Sequence, residues 1–262
     1  MRLRLSHDAR PQALTLLVAA LASVLIWYIP IVEFLAYPFR IFVTFIHEGG
    51  HAIAALLTGN SVAALNVWPD ASGLTYSRKG GLFSQMLVSS GGYLGAMAFG
   101  ALLLVLIRRA IAARLVLLGT AIYIFTLTMI YGLFKPLFAV QFWSGIPFTL
   151  VAGLSITAAL VLIAKFASAR TATFFVSFLA VQCVLNALFD LKTVFFESAS
   201  IGAQPNDATN MAHATGIPGI FWALTWVAIA FGMLWFVMRL YVAGRDTSYQ
   251  PDLPFEETTP PV

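Results

Sequence analysis

The chain is poor in charged residues and almost lacks cysteine. Only 10% of its 262 residues are charged, 60% are hydrophobic, and the mean hydropathy is +0.88. A soluble domain does not need so much apolar surface, so the composition predicts an all-α polytopic membrane protein embedded in a lipid bilayer. The net charge of +4 is spread over short loops and gives no sign of nucleic-acid binding. The single cysteine, Cys183, excludes an internal disulfide and a zinc site built from cysteines.

Apolar runs of membrane-spanning length recur along the chain and predict about seven transmembrane helices. They cover approximately residues 13–32, 34–57, 83–107, 115–134, 148–166, 171–188 and 217–241. After the second run, residues 61–81 contain two β-leaning segments around a turn-rich centre, which predicts a short β-hairpin. We interpret residues 1–244 as a single integral membrane domain and residues 245–262, which are polar and proline-rich, as a disordered tail.

The second apolar run contains HEGGH at residues 47–51, which has the pattern H-E-x-x-H. On an α-helix, His47 and His51 are one turn apart and project from the same face, so their imidazoles can hold one Zn²⁺. Glu48 is then placed to act as a general base towards water at the metal. Two histidines and a glutamate at membrane depth are costly unless a group compensates them, and a metal does so more naturally than neighbouring helices. The motif therefore predicts His47 and His51 as metal ligands and Glu48 as the catalytic residue.

Small residues in the third run predict a close helix–helix contact. Residues 89–96 read SSGGYLGA, with small side chains three and four positions apart. The HEGGH helix is a candidate partner for this face.

A catalytic zinc usually takes a third protein ligand, and the long loop after the sixth run offers several. It contains Asp190, Glu197, Asp207 and His213. Asp207 is preferred because it follows a turn and can begin a short helix that ends at Gly216. The same carboxylate could instead serve only as a helix N-cap. Asp190 is the second choice, Glu197 is less favoured, and His213 remains open as a ligand.

Three segments together resemble the site-2-protease-like intramembrane metallopeptidases. They are the HEGGH motif, residues 67–75 (VWPDASGLT) and residues 206–218 (NDATNMAHATGIP). The resemblance extends over about residues 34–239 and is closest to the bacterial, peptidase-like branch of that family. That branch carries a Ser-Asp-Ala-type motif before Thr-Gly-x-Pro, and this chain has Asn206 where the motif has serine.

The resemblance implies His47 and His51 as zinc ligands, Asp207 as the third ligand and Glu48 as the catalytic acid/base. It also implies a multi-pass protein of the bacterial inner membrane. The expected function is zinc-dependent endoproteolysis in or near a transmembrane segment of a membrane protein or peptide substrate. The alternative is a relative with little or no catalysis that acts as a membrane scaffold or regulator. A transporter is disfavoured because the sequence shows no internal repeat.

Proteolysis at membrane depth also requires residues that hold the substrate and residues that stabilise the oxyanion. A transmembrane substrate hides its amides in its own helix, so it must be unwound locally before attack. The hairpin at residues 61–81 could hold the unwound piece as an added strand, or it could be an ordinary loop. Asn60, Asn66 and Asn186 are candidates for stabilising the oxyanion.

Overall fold

The structure is a computed structural model that describes residues 10–28, 33–108, 112–198 and 206–242. Within these ranges the chain is mostly helical, with one small antiparallel sheet. The helices are α1 Arg10–Tyr28, α2 Glu33–Leu57, α3 Leu82–Arg108, α4 Ala113–Leu127, α5 Ile146–Phe166, α6 Ala169–Ser198, α7 Asp207–Thr215 and α8 Gly219–Val242. The strands are β1 Val62–Val67 and β2 Gly73–Ser77. A π-helical turn, Thr128–Phe134, and two 3₁₀ turns, Pro136–Phe138 and Val140–Gly145, join α4 to α5.

Four helical segments among the described residues are long and apolar enough to cross a membrane. They are Leu82–Arg108, Ala113–Phe138, Val140–Phe166 and Gly219–Arg239. The described apolar stretches of α1 and α6, Leu14–Ser23 and Ala169–Leu185, are shorter. Large apolar side chains such as Ile122, Val151 and Phe236 are exposed on the outer faces, as contact with lipid requires.

The prediction of a mostly helical membrane protein with a short β-hairpin is confirmed, but the predicted count of seven spans is not. The helix α2 is missing from the four because HEGGH and Arg40 reduce its hydropathy. Residues 29–32 of the first predicted span and the predicted tail at residues 245–262 lie outside the described residues.

Glycines allow α2 and α3 to pack almost backbone to backbone. Gly50 lies against Gly91 and Gly95, and a Cβ added at Gly95 would stand 3.0 Å from the Gly50 Cα. A larger residue at any of these positions would push the helices apart. The predicted small-residue face on the third run, with the HEGGH helix as its partner, is therefore confirmed.

The hairpin predicted at residues 61–81 is present, and its two strands differ in their surroundings. The strands are antiparallel, in a register that runs from Val67 opposite Gly73 to Val62 opposite Ser77. The strand β1 is largely buried, and side chains satisfy its outer edge: Val67 N donates to Thr149 Oγ1 at 2.8 Å. At the other end of that edge, Lys135 Nζ donates to Val62 O at 2.8 Å. Among the described residues no further strand pairs with β2, so its outer edge is the free edge of this sheet.

Hydrogen bonds attach the hairpin to one face of α2. Tyr37 Oη and Thr44 Oγ1 each donate to a carbonyl oxygen in the hairpin turn at 2.7 Å. Thr75 Oγ1, on β2, donates to Glu48 O at 2.9 Å. Positions 37, 44 and 48 are two turns and then one turn apart, so they share one side of the helix. The hairpin is thereby held over the segment that carries HEGGH.

Candidate metal centre

The structure brings His47, His51 and Asp207 together, so that one ligand atom from each lies within 4.8 Å of the others. The two Nε2 atoms are 3.1 Å apart, and Asp207 Oδ2 is 3.4 Å from His47 Nε2 and 3.3 Å from His51 Nε2. Ligand atoms bound tetrahedrally to one zinc at about 2.0–2.1 Å stand about 3.3 Å from one another. The spacing of the three atoms therefore fits a single tetrahedral metal ion.

Contacts from α3 and α8 orient both imidazoles. His51 Nδ1 lies 2.6 Å from Val88 O, and because a carbonyl can only accept, Nδ1 carries the proton and Nε2 keeps a lone pair for a metal. The His47 ring meets the Tyr93 ring edge to face at 4.8 Å, and Tyr93 in turn packs on Trp226 at 5.5 Å. These contacts fix the ring positions that a metal site requires.

Gly92 of α3 lies directly against the two imidazoles. A Cβ at this position would come within 2.5 Å of both His47 Cε1 and His51 Nε2, and closer still to His47 Nε2. The absence of a side chain at Gly92 therefore leaves open the space where the ligand atoms converge. The small-residue face is predictable from the sequence, but this glycine is not, because only the approach of the two helices shows which glycine faces the candidate ligands.

Glu48 is buried beside the cluster and its carboxylate is incompletely satisfied. The residue is only 4% exposed, and its Oε2 has no hydrogen-bond partner among the described residues. Gly73, the first residue of β2, lies against the side chain, and a Cβ there would be 2.8 Å from Glu48 Oε1. A buried carboxylate oxygen without a partner is available to accept a proton.

A cleft of about 570 Å³ opens onto these groups. Its walls are α2, the whole of β2 with the turn that follows it, the first half of α3, and α7. His47, His51, Glu48 and Asp207 all border it.

The short helix predicted to begin at Asp207 and end at Gly216 is confirmed as α7, but its N-cap is Asn206. Asn206 Oδ1 accepts from Thr209 N at 3.0 Å, and Thr209 Oγ1 accepts from Asn206 N at 2.8 Å, which completes a capping box. Gly216 closes the helix in the left-handed conformation, with φ of 73°. Asn206 thus performs the capping role that was the alternative for Asp207, and the Asp207 carboxylate points to the histidines instead.

The surroundings of Asp207 keep it ionised. Burial raises the pKa of its carboxyl, but positive charge at the His51 and His47 imidazoles, such as a proton on Nε2 supplies, and hydrogen bonds from them lower it further, so the net pKa lies below its ordinary value. Ionised aspartate is the form that coordinates a metal.

The other candidate ligands are not part of the cluster that the structure describes. His213 is exposed at the rim of the cleft and lies outside the His47, His51 and Asp207 group. The side chains of Asp190 and Glu197, on α6, lie outside the described residues.

Two of the three asparagines considered as oxyanion donors do not border the cleft. Asn60 donates to Ser84 Oγ, and Asn66 is buried and donates to Phe142 O at 3.3 Å. Neither is among the described residues that border the cleft, and the side chain of Asn186 lies outside the described part of the chain.

Apolar helices of membrane-spanning length around a cluster of two histidines and an aspartate define an integral membrane protein with a candidate metal centre. A family model described as Peptidase M50B-like matches residues 14–237, so the chain belongs to this family, which is the site-2-protease family. The resemblance noted in the three sequence segments is thereby confirmed. Membership of a peptidase family suggests an intramembrane metallopeptidase. No curated protein and no solved structure matched the chain.

Proposed function

We propose that the protein is a zinc-dependent endopeptidase that hydrolyses a peptide bond in or near a transmembrane segment of a membrane protein substrate. We further propose that it acts in the bacterial inner membrane. The observation that carries the proposal is the convergence of His47, His51 and Asp207 at tetrahedral spacing, with a buried Glu48 alongside. When bound by these three residues, Zn²⁺ supplies Lewis-acid chemistry, lowering the pKa of water and polarising the scissile carbonyl.

Glu48 moves the proton in this proposal. Its Oε2 accepts a proton from the attacking water and later passes it to the nitrogen of the leaving amine. Burial and the lack of a hydrogen-bond partner among the described residues leave this oxygen free for the transfer. Gly73 has no Cβ to occupy the space that the Glu48 side chain fills, and Glu48 borders the cleft.

The free edge of β2 accounts for how an unwound substrate is held. The strand β1 is covered by side chains from the α4–α5 region, whereas β2 borders the cleft along its length. An extended peptide can add to β2 through main-chain hydrogen bonds, which replace those that it loses on leaving its helix. Such a peptide would lie alongside the candidate metal ligands.

Comparison of new protein N-termini in cells tests the proposal without knowledge of the substrate. Membrane fractions are compared between cells that express the wild type and cells that express Glu48→Gln. We expect new N-termini within or near transmembrane segments in the wild type only, because glutamine keeps the size of Glu48 but cannot accept the proton. The purified Glu48→Gln protein should still contain zinc, since Glu48 is not a ligand in this proposal.

The matched control is Asp70→Asn, the same loss of a carboxylate at the exposed tip of the hairpin. It should produce the wild-type set of N-termini. Identical sets from the wild type and Glu48→Gln would contradict endoproteolysis and favour a scaffold. Absence of zinc from the purified wild type would contradict the metal site, and so would a zinc loss in His47→Ala no greater than in an unrelated variant.

A further inference from the structure

Asn206 has a second group besides the one that caps α7. Its Oδ1 accepts the Thr209 N–H at 3.0 Å, which fixes the orientation of the side-chain amide. The remaining group, Nδ2, is buried and has no hydrogen-bond partner among the described residues. Asn206 borders the same cleft as Glu48 and the candidate ligands, and it directly precedes Asp207.

Capping alone does not require this second group. A serine at this position would cap the helix as well as asparagine, because the cap needs only one side-chain oxygen. What asparagine adds is an N–H donor, held in place by its own cap. A buried donor without an acceptor destabilises the folded chain, so it is expected where an acceptor arrives later.

A peptide in the cleft brings such acceptors, since each residue has a carbonyl oxygen. The amide donor is neutral and its orientation is set before the substrate binds, which are the properties of a group that stabilises developing negative charge. We propose that Asn206 Nδ2 donates a hydrogen bond to the scissile carbonyl oxygen of the substrate as that oxygen becomes negatively charged. This inference rests on the proposed endopeptidase function and assigns Asn206 the role that the sequence analysis sought in other asparagines.

The test is a kinetic comparison in lipid nanodiscs, with a synthetic peptide that carries a span found to be cleaved in wild-type cells. Asn206→Ser keeps a capping oxygen, but its shorter side chain does not reach the position of Nδ2. We expect kcat to fall about 100-fold, as for the removal of one oxyanion donor elsewhere. KM, zinc content and the thermal unfolding midpoint should stay close to wild type.

Two controls separate the donor from the cap. Thr225→Ser is a comparably small truncation of an exposed polar side chain on α8 that does not border the cleft, and it should leave kcat unchanged. Thr209→Ala removes half of the capping box and leaves Nδ2 in place, so it should lower the unfolding midpoint more than it lowers kcat.

The inference would be overturned if Asn206→Ser kept kcat within about threefold of wild type, far from the loss expected for an oxyanion donor. It would also be overturned if only KM rose, or if Thr209→Ala lost as much kcat as Asn206→Ser. These results would leave the proposed endopeptidase intact. A wild type no faster than Glu48→Gln on the same peptide would instead overturn the proposed function, and the inference with it.

Discussion

Replacing Gly92 with alanine should disable the metal site by adding a single methyl group. The added Cβ would stand 2.5 Å from His47 Cε1 and 2.5 Å from His51 Nε2, whereas ordinary contact begins at 3.4 Å. To restore ordinary contact, each imidazole would have to move away by 3.4 minus 2.5, or 0.9 Å. The rings cannot easily yield, because Val88 O holds His51 and Tyr93 packs against His47.

A displacement of this size exceeds what a metal site tolerates. Metal–ligand distances in proteins stay within about 0.2 Å of their ideal values, so a shift near 0.9 Å breaks or lengthens at least one bond. Even changes outside the ligands that disturb their orientation weaken metal binding by about 10–100-fold. We therefore expect at least the upper end, about 100-fold weaker zinc binding or about 2.8 kcal/mol.

The assay is zinc content and competitive zinc affinity of the purified protein, with helicity and the unfolding midpoint measured in parallel. Gly119→Ala is the matched control, because a Cβ there meets no atom within 4 Å, and it should keep wild-type zinc affinity. Gly95→Ala disturbs the contact with Gly50 without touching the ligands, so it should lower the unfolding midpoint more than the zinc affinity. A folded Gly92→Ala protein with wild-type zinc affinity would refute the placement of the ligands against α3.

Three further predictions concern the supports of the site. Thr44→Val removes a 2.7 Å hydrogen bond to the hairpin turn and should weaken hairpin docking by about 0.5–1.5 kcal/mol, measured as faster amide exchange there; unchanged exchange would count against the docking. Ser90→Ala leaves the buried Trp226 indole N–H without its acceptor at 2.9 Å, so the free energy of unfolding should fall by about 1–3 kcal/mol; an unchanged denaturation midpoint would contradict this. Hydrogen bonds from Ser72 hold the pKa of Asp70 below its ordinary value of 3.8, so Ser72→Ala should raise it, as followed by NMR titration. Because the pKa is lower in the folded state than in the unfolded state, this carboxylate stabilises the fold above pH 3.8, and the stabilisation is lost as the pH falls through the lowered pKa. An unchanged titration of Asp70 in Ser72→Ala would contradict the hydrogen bond from Ser72.

The two histidines and Glu48 could be predicted from sequence because their relation is local. A spacing of four residues on a helix places His47 and His51 one turn apart, whatever the rest of the chain does. The hairpin was also predictable, since the turn residues at 69–73 identify it. Which of its edges stays open was not predictable, because this depends on where residues far along the chain, such as Thr149, pack against β1.

The third candidate ligand could not be chosen from the sequence alone. Asp207 lies far from the HEGGH motif in sequence, and a carboxylate at the start of a short helix can cap it or bind a metal. The structure separates these roles because Asn206 makes the cap. Asn206 can replace the serine of the family motif without loss of the cap, since both residues cap helices well.

Gly92 and the Nδ2 donor of Asn206 could not be predicted from the sequence, for a related reason. The stripe of small residues marks α3 as a packing surface, but several glycines fit that pattern equally well. Only the crossing of α2 and α3 selects Gly92 as the one against the imidazoles. Likewise, an unpaired side-chain amide becomes visible only once its oxygen has been assigned to the cap.

The polarity of α2 has a consequence for how the protein is made. This helix bears the Glu48 carboxylate and two imidazoles, and it is not among the segments that are apolar enough to cross a membrane by themselves. A newly synthesised helix of this kind partitions poorly into lipid until a neighbour shields its polar face. The glycine contact with α3 offers that shield, so we expect the two helices to leave the translocon as a pair. A nascent chain cut off before α3 should therefore fail to integrate its second helix, as a glycosylation-site insertion assay would reveal.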